Sequence, residues 1–370
     1  MSMATVALEL QPCCGARSGI GTYTYELTRR LRSDTEVTFC GNLFGKSALE
    51  TFPFPVRQFS SIPYGVYRRI WHILPLRYNS FFPEADLNIF FDYIVPPRVA
   101  GKVITTVHDL SFIRYPETMS KRNLKRIQKD IVYSLERSER ILTVSQFSKE
   151  ELTSCMGVDS DKISVIYNAP SISPETADAQ TVKNKYHITF PYILYVGTIE
   201  PRKNITRLLY AFDKLKQETG LPHHLVLAGG NGWNNKEIYK AADTLSSKSF
   251  IHFIGYISGP EKNALYQHAQ AFVFPSLYEG FGIPPLEAMH FGCPVICSKA
   301  ASLPEIIGEA GEYVDPMDTA SIAQGLWNVL FQERVANQLR ELGRRQAAQF
   351  CWDSSSQELE KICKDVLKNR

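Results

Sequence analysis

Two glutamates, Glu279 and Glu287, stand with seven residues between them in YEGFGIPPLEAM (278–289), and Gly-Phe-Gly and Pro-Pro fill the gap. Paired carboxylates can serve as acid and base, or can accept hydrogen bonds from the hydroxyls of one ligand. The run FVFPS before them reads as a strand, and LYEGFGIPP as its exit. Pro284 and Pro285 fit the first turn of a helix, where a missing N–H does no harm. The glycines let main-chain N–H groups come close to a ligand. Strand, Gly-rich exit and helix N-terminus together make an anion cradle suited to phosphate. Glu279 is expected in the loop and Glu287 in the first turns of the helix. Glu287 then either accepts from a ligand hydroxyl or merely complements the helix dipole.

Four other features carry chemistry. In GTIEPRKN (197–204), Arg202 and Lys203 follow a strand and precede a helix. They form either a diphosphate site or an exposed basic turn. In ARSGIGTYTYELTRRL (16–31), Gly19 and Gly21 precede a helix expected over 22–32. A dinucleotide fingerprint would need a third glycine, where Thr24 stands, and an acid after strand two, where Cys40-Gly41-Asn42 stands. A nicotinamide cofactor is therefore disfavoured, and a loop closing on sugar or phosphate is left. His108-Asp109 follows KVITTV and either donates to a phosphate or sugar hydroxyl or caps the next turn. Asp159-Ser160-Asp161 has a metal-binding spacing but falls at the amino edge of the sheet, so a solvated turn is expected.

The elements that must position these residues are legible as periodicity. Runs at 5–10, 36–40, 87–91, 102–107, 140–145 and 163–168 read as buried strands, with helices at 22–32, 121–138 and 147–156. A second series has strands at 191–197, 223–230, 250–255, 271–276 and 294–298, with helices at 204–219, 234–245, 259–269 and 284–291. Between them, 169–190 loses the pattern and gains Pro, Ser and Thr, as a linker does. The fold class is α/β with two doubly wound domains, whose ligands bind at the carboxyl ends of strands. A net charge of +3 does not argue for nucleic acid. The eight cysteines make no C-x-x-C pair, and no signal peptide or membrane-spanning run is read. A reducing, cytoplasmic setting is expected. Two basic stretches, the aromatic-rich 64–82 and 121–129, suit either contact with anionic lipid or a core helix with a solvated face.

Together these features resemble the retaining glycosyltransferases of family 4. The resemblance rests on SGIGTYTYEL (18–27), VHDL (107–110), VSQFSKEEL (144–152), VIYNAP (165–170), YVGTIEPRKN (195–204), AGG (228–230), FIGYIS (253–258) and PSLYEGFGIPPLEAM (275–289). It implies the GT-B fold, two Rossmann-like domains facing a central cleft. Residues 1–170 would be the acceptor domain and 171–352 the nucleotide-sugar domain, with a final helix at about 353–370 packing back on the first. It implies that Glu287 accepts from the donor ribose and that Glu279 contacts the transferred hexose. The backbone of Phe281, Gly282 and Ile283 helps, with Gly197 also beside the donor. Arg202 and Lys203 would neutralise the diphosphate, so neither metal nor cofactor is expected. Gly19 and Gly21 would approach the donor phosphate or the acceptor, and His108 the sugar.

HDLSFIRYPE (108–117) and LYEGFGIPPLEAM (277–289) are similar to bacterial mannosyltransferases of O-antigen synthesis. The implied donor is GDP-mannose, and the implied acceptor a saccharide, lipid-linked, at the inner face of the membrane. The basic stretches would be a peripheral membrane contact. A UDP-sugar transferase (glucose or N-acetylglucosamine) of the same fold, or a non-catalytic nucleotide-sugar-binding protein, are the alternatives.

Overall fold

The apolar runs become parallel strands. A computed structural model describes residues 3–15, 19–45, 51–74 and 76–368. The chain forms two units, the first comprising residues 1–112, 121–168 and 351–370 and the second residues 113–120 and 169–350. Unit 1 holds β1 (Ala4–Glu9), β2 (Val37–Phe44), β3 (Val56–Phe59), β4 (Leu87–Phe90), β5 (Lys102–Thr106), β6 (Arg140–Thr143) and β7 (Ile163–Val165), in the order β3-β2-β1-β4-β5-β6-β7. Unit 2 holds β8 (Tyr192–Val196), β9 (His224–Ala228), β10 (Ile251–Gly255), β11 (Ala271–Phe274), β12 (Val295–Ser298) and β13 (Gly311–Val314), in the order β10-β9-β8-β11-β12-β13. Helices cover both faces of such sheets, which is why Val6, Leu8, Ile193, Leu194, Phe272 and Val273 are fully buried. In each unit the strand order reverses beside the first strand, between β1 and β4 and between β8 and β11. Ligand sites of doubly wound sheets sit at that switch point.

Several elements differ from the sequence reading. The first helix spans Gly19–Thr28, so Gly19 and Gly21 lie inside its first turn and not in a loop ahead of it. Ala16, Arg17 and Ser18 of that motif lie outside the described residues. The segment 169–190 holds a helix, Ala179–Tyr186, started by Asp178 accepting the N–H of Thr181 at 2.7 Å. Edge strand β3, strand β13 and the helices Thr319–Phe331 and Glu333–Ala347 complete the sheets and their cover. The Asp159 carboxylate accepts the N–H of Asp161 at 2.9 Å and caps a turn ahead of β7, so this tripeptide is spent on its own backbone. The final helix, Trp352–Lys368, belongs to unit 1. The Ser356 hydroxyl donates to the Leu27 carbonyl at 3.0 Å, and Lys364 pairs with Asp34 at 2.6 Å.

The stretch 64–82 turns most of its aromatics inward. Tyr67, Trp71, Tyr78 and Phe82 are buried, and Tyr67 stacks on Phe44 with ring centroids 4.7 Å apart. Its exposed side chains include Val66, Arg69, His72, Ile73, Leu74 and Arg77.

At the amino edge of the unit 2 sheet, His224 Nδ1 lies 2.8 Å from His252 Nε2. Phe190 stacks on both rings, at 3.5 and 4.8 Å. Burial, then the neighbouring His252, Lys216 and His223, holds His224 down at about 4. Burial also lowers His252. A folded pKa below the ordinary 6.5 means that the unfolded chain takes up the proton first. The stabilisation is therefore present above about pH 6.5 and is lost as pH falls toward 4. Thermal melts of wild type and His224→Gln should show the wild type losing stability relative to the variant across that window. A pH-independent difference in melting temperature would refute this.

Candidate active site

Neighbouring strands bring the charged loops of unit 2 together. β8 and β11 pair in parallel, so their carboxyl-end exits, 197–204 and 275–282, run side by side. Pro201 opens a short turn at 201–203, and Asn204 (φ 60°) takes the left-handed conformation that asparagine tolerates. The Asn204 amide then donates to the carbonyls of Pro275 at 3.0 Å and Pro316 at 2.7 Å. The Leu277 N–H donates to the Arg202 carbonyl at 2.9 Å, joining the two exits through the main chain.

Arg202, Lys203 and Glu279 meet in this frame. Arg202 donates to the Tyr278 carbonyl at 2.6 Å, to Glu279 at 3.1 Å and to Glu200 at 3.0 Å. Lys203 Nζ lies 2.6 Å from the other Glu279 oxygen and 5.2 Å from the centre of the Phe274 ring. Burial alone would raise the Glu279 pKa, but Lys203 and then Arg202 outweigh it and hold the group at about 2. A carboxyl so low is ionised at any working pH, so Glu279 is not a general acid. The Ser302 hydroxyl lies 2.9 and 3.0 Å from the carbonyl oxygens of Glu279 and Phe281 and fixes the loop's course.

Glu287 is 2% exposed and belongs to the helix Ile283–His290. One of its oxygens pairs with Lys262, and the other accepts from the Tyr266 hydroxyl at 3.1 Å. Lys262 and Tyr266 stand four residues apart on the helix Gly259–His268, which a Ser258/Glu261 capping box starts. Two side chains therefore hold this carboxylate, beyond any effect of the helix dipole. The sequence reading missed Lys262 and Tyr266. The Ser-x-x-Glu signature was their available signal, since it fixes where the helix begins and hence which residues share a face.

The cradle at the helix start is narrower than expected. Pro284 and Pro285 occupy the first turn and remove two of its free N–H groups. Gly282 caps the helix with φ 116°, and a Cβ there would lie 2.7 Å from Leu303. Gly197 serves a close approach between strand exits. Its N–H donates to Ala228 at 2.9 Å, and its carbonyl would lie 1.9 Å from a Cβ on Gly229.

His108, Gly19 and Gly21 belong to unit 1. His108 is buried two residues past β5, with Nε2 2.9 Å from the Phe91 carbonyl oxygen. A carbonyl can only accept, so Nε2 carries the hydrogen, and the neutral ring is left with Nδ1 as an acceptor. Burial lowers its pKa, partly opposed by the Phe91 carbonyl, Asp92 and Asp109. The expectation of a hydrogen-bond donor is thereby reversed: neutral His108 offers a hydroxyl an acceptor.

The buried triad predicts an asymmetry in stability. Glu279→Ala strips Lys203 of its carboxylate and Arg202 of one of its two, in a largely buried site, and should cost about 3–5 kcal/mol. Lys203→Ala leaves Glu279 still paired with Arg202 and should cost clearly less. Denaturant melts compare the two, and equal losses would contradict the shared-carboxylate geometry.

Two family signatures match the chain, one described as Glycosyltransferase Family 4 over residues 17–171 and one as Glycosyl transferases group 1 over residues 178–346. The chain is 33% identical over 356 residues to O-antigen chain mannosyltransferase B of Escherichia coli, covering 91% of this chain and 93% of that protein. It is 30% identical over 285 residues to the serotype-specific mannosyltransferase WbdA of Escherichia coli, of which it spans 35%. Sucrose-phosphate synthase from Thermosynechococcus elongatus has a similar fold, with a TM-score of 0.77 at 18% identity, covering 99% of this chain and all of that one. With both sheets, both strand exits and these matches agreeing, the chain belongs to the family 4 glycosyltransferases and has the GT-B fold.

Proposed function

We propose that the chain is a retaining, metal-independent mannosyltransferase that moves mannose from GDP-mannose to a saccharide acceptor, lipid-linked, in surface polysaccharide synthesis. The observation that carries this is the Arg202–Lys203 pair held against Glu279 at the β8–β11 switch point. Buried carboxylates, Glu279 for both cations and Glu200 for Arg202, hold the two groups at the strand exits, an arrangement that suits a departing diphosphate. The ion pairs orient both cations before the donor arrives, so little reorganisation is needed as charge develops. Mannose as the sugar and a surface polysaccharide as the product are supported by the 33% identical O-antigen chain mannosyltransferase.

In this reading Glu287, fixed by Lys262 and Tyr266, accepts from the ribose hydroxyls, and Glu279 accepts from a hydroxyl of the mannose. The backbone at Phe281, Gly282 and Ile283 lies along the sugar, with Gly197 at the neighbouring strand exit. The bond from the anomeric carbon to the diphosphate oxygen breaks with its electron pair going to the diphosphate. The acceptor oxygen attacks the same face, and its proton passes to the leaving phosphate. No side chain is needed as a covalent nucleophile. His108 accepts from a hydroxyl through Nδ1. An added Cβ at Gly19 meets no atom of the described residues within 4 Å, which is compatible with a ligand phosphate or sugar at the helix start.

A peripheral membrane contact belongs to the same proposal. No helix among the described residues is long and apolar enough to cross a membrane. The exposed set includes Arg69, Ile73, Leu74 and Arg77, with Lys121, Arg122, Lys125, Arg126 and Lys129 on the helix Lys121–Arg137. Cations beside apolar side chains suit an anionic lipid surface.

Three measurements test the proposal. GDP-mannose at 100 times its dissociation constant should stabilise the protein by roughly 2.7 kcal/mol. Protection by a UDP-sugar instead would select the alternative donor, and ligand protection without turnover would mark a binding protein. Lys203→Ala should cut transfer by orders of magnitude, and transfer should survive EDTA with the anomeric configuration kept. Near wild-type transfer in that variant would refute the diphosphate role. Arg69→Glu combined with Ile73→Asp should reduce sedimentation with anionic liposomes, and unchanged binding would refute the contact.

A further inference from the structure

The carboxyl edge of the unit 1 sheet holds polar groups that its own fold leaves unanswered. Glu9 ends β1, and its register partner on β2 is Asn42. Asp92 follows β4, which pairs with β1 on the other side. Glu9 and Asp92 thus lie at the carboxyl ends of the two strands that flank the β1–β4 switch point, with Asn42 next to Glu9 on β2. Glu9 is 7% exposed and Asn42 1%. One Glu9 oxygen accepts the Gln11 N–H at 3.1 Å. The Asn42 amide nitrogen reaches the Tyr78 hydroxyl at 3.4 Å, but its Oδ1 is buried with no donor among the described residues.

Arg68 comes to the same place from the helix Tyr64–Ile70, where its charge acts on Glu9. The guanidinium lies 5.8 Å from the centre of the Tyr64 ring and 5.9 Å from that of Trp71. Its Nε and Nη2, the two donors along one edge, are buried without an acceptor among the described residues, and so is Trp71 Nε1. Folding does not leave buried donors of a charged group unpaired without a strong penalty, so the arrangement points to a missing partner.

The pattern identifies that partner by class. An anion would answer the unpaired donors of Arg68 and Trp71 but not Asn42 Oδ1. A cation would answer only the acceptors. A hydroxyl both donates and accepts, and neighbouring hydroxyls match the paired edge of a guanidinium. Burial, with Asp92 beside it, raises Glu9 to about 8, so it is mainly a neutral acid near pH 7 and can likewise both donate and accept. We propose that Arg68, Asn42, Glu9 and Asp92 form a saccharide subsite at the unit 1 switch point, with Arg68 and Asn42 holding neighbouring hydroxyls of the acceptor sugar. That the sugar is the acceptor, and a mannoside, rests on the transferase reading above.

The test uses the full chain with mannobiose as probe. Arg68→Met should lower mannobiose affinity, read by calorimetry, and raise its KM at least tenfold, while the thermal shift given by GDP is unchanged. Its melting temperature should hold or rise, because an unpaired buried charge is removed. Glu9→Gln should stay within a few-fold of wild type, and Glu9→Leu should fall as Arg68→Met does. Retained mannobiose affinity in Arg68→Met with a lowered melting temperature would overturn the proposal, since Arg68 would then be structural. Inorganic phosphate protecting the wild type but not Arg68→Met, with no mannobiose binding, would also overturn it in favour of an anion site. If GDP fails to bind while mannobiose binds and Arg68→Met abolishes that binding, the donor assignment falls and the subsite stands.

Discussion

A single buried carboxylate, Glu279, fixes the chemistry of unit 2. It is the shared partner of Arg202 and Lys203, and those contacts tie the exit of β8 to the exit of β11. Removing two cations and the carboxylates of Glu279 and Glu200 from water is costly, and their mutual attraction offsets it only when the geometry is good. The main-chain bond from Leu277 to Arg202 and the Asn204 amide supply that geometry. The fold determines where this happens. Only at the strand-order reversal do two adjacent exits diverge enough to leave charged groups facing a ligand.

Much of this was legible from residue spacing, and what was not has physical causes. Strands buried on both faces announce themselves as short apolar runs, so eleven segments read from the sequence coincide with strands of the two sheets. Edge strand β3, VRQF, has one pairing neighbour and partly exposed residues, so it carries little apolar signal. The helix Ala179–Tyr186 hides in a polar stretch because an Asp178 cap, more than an apolar face, starts it. The first helix was placed three residues late because glycine is a poor helix former, yet Gly19 and Gly21 occupy its opening turn.

Within the site, the motif fixed positions more firmly than partners. The seven-residue spacing separates a loop carboxylate from a helix carboxylate, as the structure has them, and Arg202 and Lys203 both meet Glu279. Spacing could not show that Glu279 would neutralise those cations in the empty protein, since that follows from β8 and β11 being neighbours. Nor could it show Lys262 and Tyr266 on Glu287, which a different helix supplies. His108 makes the same point in unit 1. Its type suggested a donor, and only the Phe91 carbonyl on its Nε2 turns it into an acceptor.

The two units share a topology but hold Arg202 and Arg68 oppositely, and the ligands proposed for the two sites give a reason for the difference. Arg202 is paired with carboxylates before any ligand binds. On the proposed reading that pairing is tolerable, because a diphosphate would carry enough charge to compete for the cation or to share it. A neutral hydroxyl has no such strength and could not draw a guanidinium away from a carboxylate. A subsite for a neutral sugar must therefore keep its arginine edge unpaired and pay for it in stability. The Nε–Nη2 edge of Arg68, buried and without an acceptor among the described residues, has that character. The stability lost at one switch point and the ion pairing kept at the other are then two answers to one requirement, that each arginine meet its ligand in a state the ligand can win.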